Sequence, residues 1–440
     1  VRIFPDAVYK KRKRHFMNDT ESDIKFVLSK SLGITTLTGP ALEKAVKHRY
    51  IPLSDREKRR INRDIARHVI HPIAPGNYKK PGRSSLSNIR VLGINHAGLL
   101  DVTLEWKTGQ DKALHLVSCR IDAGGDQINV SKVFSHFNEK IALVALAGKN
   151  GLTITDAWEK NFLNKHIIST LIRDAKEDAP AAIYHIIDGE TLPAMFGWAE
   201  KVSRKTLKTM NRKALSIISQ ILKKNTRPVW LVLSAGGPIK YDRSLAYYAS
   251  LIKAVKEKFQ DQVEFLIDFK FVSGKEETMS VLDIPRDTPQ DIIKPNVEEF
   301  VQILASSGLT KPGDLDKDTI TEKTVREYAI KLREKYNLLG VLVSMDKAGL
   351  MLVLKDRIIK EKGIKIKLAC PTGSGDSLKA GVLYALSNGK SFEEAVHTGN
   401  LFGAATASME GTQTVTPKTF AITKKLAQAQ NVKPVIEYLS

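Results

Sequence analysis

The residues of this chain best suited to chemistry lie in Pro371-Thr372-Gly373-Ser374-Gly375-Asp376-Ser377-Leu378-Lys379-Ala380-Gly381. This stretch opens a predicted helix whose apolar residues Leu378, Val382, Ala385 and Leu386 fall on one face. Glycines at a helix start leave backbone N–H groups exposed and let an anion approach them closely. An aspartate in the first turn then stands beside that anion hole as a general base. Asp376 in that role, with the N–H groups around Gly373, Ser374 and Gly375 facing developing negative charge, suits phosphoryl transfer to a hydroxyl. A plainer reading is a glycine-rich turn in which Asp376 complements the helix dipole. Cys370 lies three residues before Gly373, with no base or cation that the sequence places beside it, and reads as structural.

Such a turn needs a scaffold, and from residue 88 onward the pattern supplies one. Strand-like apolar runs at 89–94, 141–146, 229–233, 263–267 and 341–344 are interspersed with helical stretches such as 127–137, 245–259, 297–305 and 321–336. This ordering predicts an α/β architecture, a mostly parallel sheet covered by helices on both faces. Two alternating runs, 102–106 and 115–121, predict a small antiparallel flap after the first strand.

Residues 1–87 differ in character. They hold 20 Lys and Arg against 8 Asp and Glu, while the remaining chain holds 49 against 40, so much of the net charge of +21 belongs to this segment. It opens with the run Lys10–Arg14 and reads as mainly helical. A helix over 54–69 starts at a capping-box pattern, Ser54 to Glu57, and aligns Ile61, Ile65 and Val69. Breaker-rich residues 71–85 read as a linker, which places a domain boundary near residue 87. The 440 residues suit one large domain plus an extension, at about 100–200 residues per domain. Val1 is an unusual first residue, and Met17 is a candidate start.

No apolar run approaches the roughly 18 residues of a membrane span, and the first residues lack the order of a secretory signal. Cys119 and Cys370 lie far apart without a ligand spacing, so neither a disulfide framework nor a zinc site is expected. A soluble protein of a reducing compartment, the cytoplasm, fits.

Pro371–Gly381 resembles the C-terminal signature of the ribokinase-like (PfkB) carbohydrate kinases, usually built around Gly-Ala-Gly-Asp. The resemblance spans residues 88–440, because further motifs follow the family's order. Gly98-Leu99-Leu100-Asp101-Val102-Thr103 looks like the first-strand exit whose aspartate binds sugar hydroxyls. Gly124-Gly125-Asp126-Gln127-Ile128-Asn129 resembles the family's Gly-Gly-x-Gly-x-Asn substrate loop. Lys294-Pro295-Asn296-Val297-Glu298-Glu299 matches the Asn-x-x-Glu motif that organises magnesium and the nucleotide phosphates. Ser344-Met345-Asp346-Lys347-Ala348-Gly349 resembles the loop bordering the ATP site. Within the family, the Lys-Pro-Asn and Ile-Asn-Val forms look most like the phosphosugar branch, which contains 1-phosphofructokinase and tagatose-6-phosphate kinase.

The resemblance implies a ribokinase-like doubly wound fold and an ATP-dependent kinase acting on a hydroxymethyl group of a sugar or sugar phosphate, with ATP and Mg2+ as cofactors. It casts Asp376 as base, Gly373, Ser374 and Gly375 as the anion hole, and Asp101, Gly124, Gly125 and Asn129 as acceptor ligands. Lys294, Asn296, Glu299, Ser344 and Gly349 would serve the nucleotide, with Asn296 and Glu299 reaching magnesium through water. In relatives such flaps pair between subunits, so a homodimer is expected on that ground. Asn296 and Glu299 also fit a helix cap and a surface glutamate, and Ser344 and Gly349 a strand-exit turn.

Several positions depart from the family pattern. Asp126 would repel a substrate phosphate, Gln127 replaces a glycine, and Asp346 adds negative charge near the nucleotide. Segment 186–191 lacks the arginine that phosphosugar kinases place there, and 234–238 only loosely matches their Gly-Ser-Leu-Pro loop. These departures keep open a second reading, a kinase-like binding or regulatory module whose residues 1–87 bind nucleic acid or another polyanion. The intact Asp376, Asn296 and Glu299 favour the enzyme.

Overall fold

Alternating side chains build the central sheet. Along 229–233, Leu231 and Leu233 join one apolar cluster, and Trp230 and Val232 join another on the opposite face. The computed structural model describes residues 86, 88–95, 99–108, 114–147, 167–173, 181–187, 190–191, 195–197, 204–236, 244–270, 281–284, 289–409 and 414–439. The basic segment, its helix over 54–69, the linker and the boundary near residue 87 lie outside the described residues.

Ten strands form the main sheet: β1 (Val91–Asn95), β4 (Ile141–Ala147), β5 (Ile167–Arg173), β9 (Val229–Gly236), β10 (Val263–Lys270), β11 (Asp291–Ile293), β12 (Gly340–Ser344), β13 (Leu350–Val353), β14 (Arg357–Glu361) and β15 (Val435–Tyr438). Their spatial order is β15-β14-β13-β12-β11-β10-β9-β1-β4-β5. Every pairing from β5 across to β12 is parallel, and β12 to β15 continue antiparallel. The predicted doubly wound, mostly parallel sheet is therefore present.

Helices cover both faces. On one lie α1 (Asp126–His136), α6 (Ser374–Ser387), α7 (Phe392–Ala407) and α8 (Pro417–Ala429), packed through Val130, Leu378, Phe402 and Ala427. On the other lie α2 (Arg204–Leu222), α3 (Ser244–Phe259), α4 (Val297–Ser306) and α5 (Glu322–Lys335), packed through Met210, Leu251, Phe300 and Val325. Gly381 lets α6 approach α7 closely, since a Cβ there would meet the Thr398 carbonyl oxygen at 2.8 Å. Among the described residues no helix is long and apolar enough to cross a membrane.

The flap is larger than its two runs predict. β2 (Leu99–Thr108) and β3 (Leu114–Gly124) pair antiparallel, and β6 (Ala181–Ile187) joins β2 in parallel. The short β7 (Glu190–Thr191) and β8 (Met195–Gly197) pair with β6 and complete a five-stranded second sheet.

Burial in a sheet covered on both faces acts on Glu264 of β10, whose register partner is Trp230. Desolvation raises its carboxyl from 4.5 to about 6. The fold thus favours the protonated form, and the stability linked to this group is present below pH 4.5 and lost as pH rises through about 6. Glu264→Gln is expected to raise Tm at pH 7.5 and to leave it nearly unchanged at pH 4. Thermal melts at both pH values check this, and equal shifts at both would contradict it.

Candidate active site

The chain leaves β1 for β4 and β5 on one side and returns to β9 on the other. A parallel sheet wound this way opens a crevice beyond the carboxyl ends of its strands at that switch point. The carboxyl ends of β9, β10, β11 and β12 deliver Ser234, Asp268, Lys294 and Ser344 to this edge. Ser234, Asp268 and Lys294 meet the starts of α1 and α6 there through shared hydrogen bonds.

Helix α6 starts without a side-chain cap. Its N-cap, Gly373, has φ 82°, a left-handed conformation that glycine adopts without a Cβ penalty. The Ser374 hydroxyl donates to the Pro371 carbonyl at 2.6 Å, tightening the turn. Asp376 then falls in the first turn, only 6% exposed. Its Oδ2 accepts from Asn129 Nδ2 at 2.9 Å, and its Oδ1 lies 3.5 Å from Lys379 Nζ. Asn129 stands one turn into α1, its N–H bonded to the carbonyl of Gly125, the N-cap of that helix. Asn129 Oδ1 is buried with no hydrogen-bond partner among the described residues, an acceptor that a ligand hydroxyl can satisfy. Gly124 and Gly125 form the joint between β3 and α1, so the second sheet feeds directly into the helix that holds Asn129.

Asp101 is placed differently from expectation. It is the third residue of β2, at the register position opposite Asp122, within the second sheet instead of the β1 exit.

Asn296 takes the helix-cap part anticipated for it, whereas Glu299, expected as a surface glutamate, is buried and completes the cap. The Asn296 side chain accepts from Glu299 N–H, and Glu299 Oε2 accepts from Asn296 N–H, each at 2.8 Å. This reciprocal box fixes the first turn of α4. A bridge between Asn296 and Ser344, with Ser344 N–H donating to Pro295 O at 3.1 Å, sets the two motifs side by side. Beyond Ser344, the turn ends at Gly349, where φ is 101° and a Cβ would overlap the Glu361 carbonyl oxygen. No other residue type fits that close approach.

The centre of the site is a charge network that spacing along the chain does not reveal. Lys379, fully buried, donates to Asp268 Oδ2 at 2.8 Å and to Ser234 Oγ at 3.3 Å. Lys294, 2% exposed, donates to Asp268 Oδ1 at 3.3 Å. Its charge is therefore directed to Asp268. Asp126 lies 3.9 Å from Lys379, so the carboxylate expected to repel a substrate phosphate faces a cation. Gln127 is buried in a helical position that needs no glycine, and its Nε2 donates to Ser234 Oγ at 2.8 Å. Cys370 is buried and unbridged, in line with a structural role. Lys379 and Asp268 escaped sequence reading as site residues. The only signal for them was a lysine on the apolar side of the α6 pattern and an aspartate ending an apolar strand.

Residues 281–419 match the pfkB family carbohydrate kinases. A tagatose-6-phosphate kinase of Staphylococcus epidermidis is 24% identical over 295 residues, covering 66% of this chain and 83% of that protein. Among solved structures, phosphofructokinase-2 of Escherichia coli superposes with a TM-score of 0.62 at 18% identity, covering 77% of this chain and 99% of the other. A possible 1-phosphofructokinase of Thermotoga maritima gives 0.61 at 16% identity, covering 80% and 99%. At these identities the structural likeness shows a shared ribokinase-like fold.

Proposed function

Starting from a chain that carries a pfkB-family carbohydrate kinase domain, we propose that it transfers a phosphoryl group from ATP to a hydroxymethyl group of a sugar or sugar phosphate, with Asp376 as general base. The observation that supports this most is the buried Asp376 carboxylate at an uncapped helix start, oriented by Asn129 at 2.9 Å. As the acceptor oxygen attacks the γ-phosphorus, its proton passes to Asp376, and the bond to the β–γ bridging oxygen breaks to release ADP. The N–H groups of Gly373 and Gly375 at the opening of α6 face the charge of the transferred group, while that of Ser374 donates to the Pro371 carbonyl at 3.1 Å and holds the turn. Asn129 Oδ1 accepts from an acceptor hydroxyl, and the Gly124–Gly125 joint lets the acceptor lie close to the backbone. Asp101 binds acceptor hydroxyls from its place on β2 in the second sheet.

Asn296 and Glu299 offer oxygen donors of the kind magnesium takes through water, and their cap holds them at the carboxyl edge beside Ser344. Magnesium, when bound, offsets charge on the β- and γ-phosphates. Ser344 and Gly349 border the nucleotide.

ADP release from Mg-ATP over a panel of fructose 1-phosphate, fructose 6-phosphate, tagatose 6-phosphate, fructose and ribose tests the reading. Acceptor-dependent release is expected for at least one of them. Silence across the panel, with the protein folded and ATP bound, would overturn it.

A further inference from the structure

We propose that Lys379 is a positioning residue for this reaction: its ammonium group, enclosed by three carboxylates, holds Asp376 ionised and in place. The inference rests on the general-base reading above. Asp126, Asp268 and Asp376 offer carboxylate oxygens that all lie within 4.8 Å of one another. Carboxylates gathered this closely oppose one another's ionisation. Lys379 Nζ sits among them, 2.8 Å from Asp268, 3.5 Å from Asp376 and 3.9 Å from Asp126. The chain thus carries its own cation in a setting where a cluster of acids alone would bind protons.

Among the described residues of this network, Lys379 is the cation recorded beside Asp376. Lys294 pairs with Asp268, while Asn129, Gln127 and Ser234 are neutral. Lys132, three residues beyond Asn129 on α1, is a further buried lysine of that helix. On α7, packed alongside α6, Glu393 pairs with Arg357, Glu394 with Lys390 and His397 with Glu361. Because Lys379 and Asp376 lie one helical turn apart on α6, the helix fixes their separation.

The test is the pH profile of kcat for Lys379→Met beside wild type. A neighbouring cation lowers a carboxyl by about one to three pH units, so the acid limb should move up by that amount, with activity recovering above it. A uniform loss at every pH, with the limb unmoved, would overturn the proposal, because a merely structural lysine predicts that outcome. Should Lys379→Met fail to fold, Lys379→Gln removes the charge while keeping an N–H donor for Asp268 and Ser234. The limb should remain displaced there, and a limb at the wild-type position would overturn the proposal. Asp376→Asn run in parallel separates the two readings. If that variant keeps wild-type kcat, the general-base assignment fails. If it is inactive and the Lys379→Met limb is unmoved, only the role of Lys379 fails.

Discussion

Asp376→Asn is expected to lower kcat by about 10^2- to 10^4-fold, the usual contribution of a positioned general base. Asparagine matches the shape of aspartate and can still accept from Asn129 Nδ2, so the fold of the α6 start should survive. Nucleotide affinity should stay within a few-fold of wild type, since the N–H groups of the turn come from the backbone. Steady-state kinetics paired with calorimetric ATP binding check both halves. A variant with kcat close to wild type would place the base elsewhere, and one that also lost ATP binding would make Asp376 a structural residue of the turn.

The largest effect on stability is expected at Asp268. This fully buried carboxylate accepts from Lys294 on one oxygen and Lys379 on the other. Asp268→Ala leaves both ammonium groups, 2% and 0% exposed, without their shared partner. Breaking a buried ion pair from one side costs about 3–5 kcal/mol, because the orphaned charge stays out of water. Urea unfolding should show a loss of that size. An exposed pair such as Lys253–Glu257, at 3.9 Å, should by contrast change stability by less than about 1 kcal/mol when broken. If Asp268→Ala unfolds at the wild-type midpoint, the charge network is not what holds the carboxyl edge together.

Much of the scaffold was legible in the sequence because periodicity reports burial directly. The apolar runs at 229–233 and 263–267 became β9 and β10, each extending to the carboxyl edge beyond its apolar run. The helix expected over 321–336 became Glu322–Lys335, with Thr321 as its N-cap. The strands at 167–173 and 181–187 were missed, since Ser169, Thr170 and His185 interrupt the pattern. β14 was missed because Arg357, Lys360 and Glu361 leave only Ile358 and Ile359 apolar, and β13, as short as the expected run 341–344, was not separated from it.

The candidate site divides in the same way. Asp376 and the glycine turn are local, so eleven adjacent residues expose them. The Asn296–Glu299 spacing is ambiguous by nature, since three residues apart serves a helix cap and a ligand pair equally, and the structure builds the cap. Lys379 and Asp268 lie 111 residues apart, and only the crossover from β10 through α6 makes them partners. No window along the chain contains that pairing, which is why Asp126 looked like an unbalanced charge.

The most direct measurement is formation of the phosphorylated product itself, followed by phosphorus NMR with Mg-ATP and each acceptor of the panel, for wild type and Asp376→Asn. A new phosphomonoester resonance on a sugar or sugar phosphate, growing with ADP and absent from the variant, is the predicted result. ADP and inorganic phosphate appearing with every acceptor, and no sugar ester with any, would contradict the account.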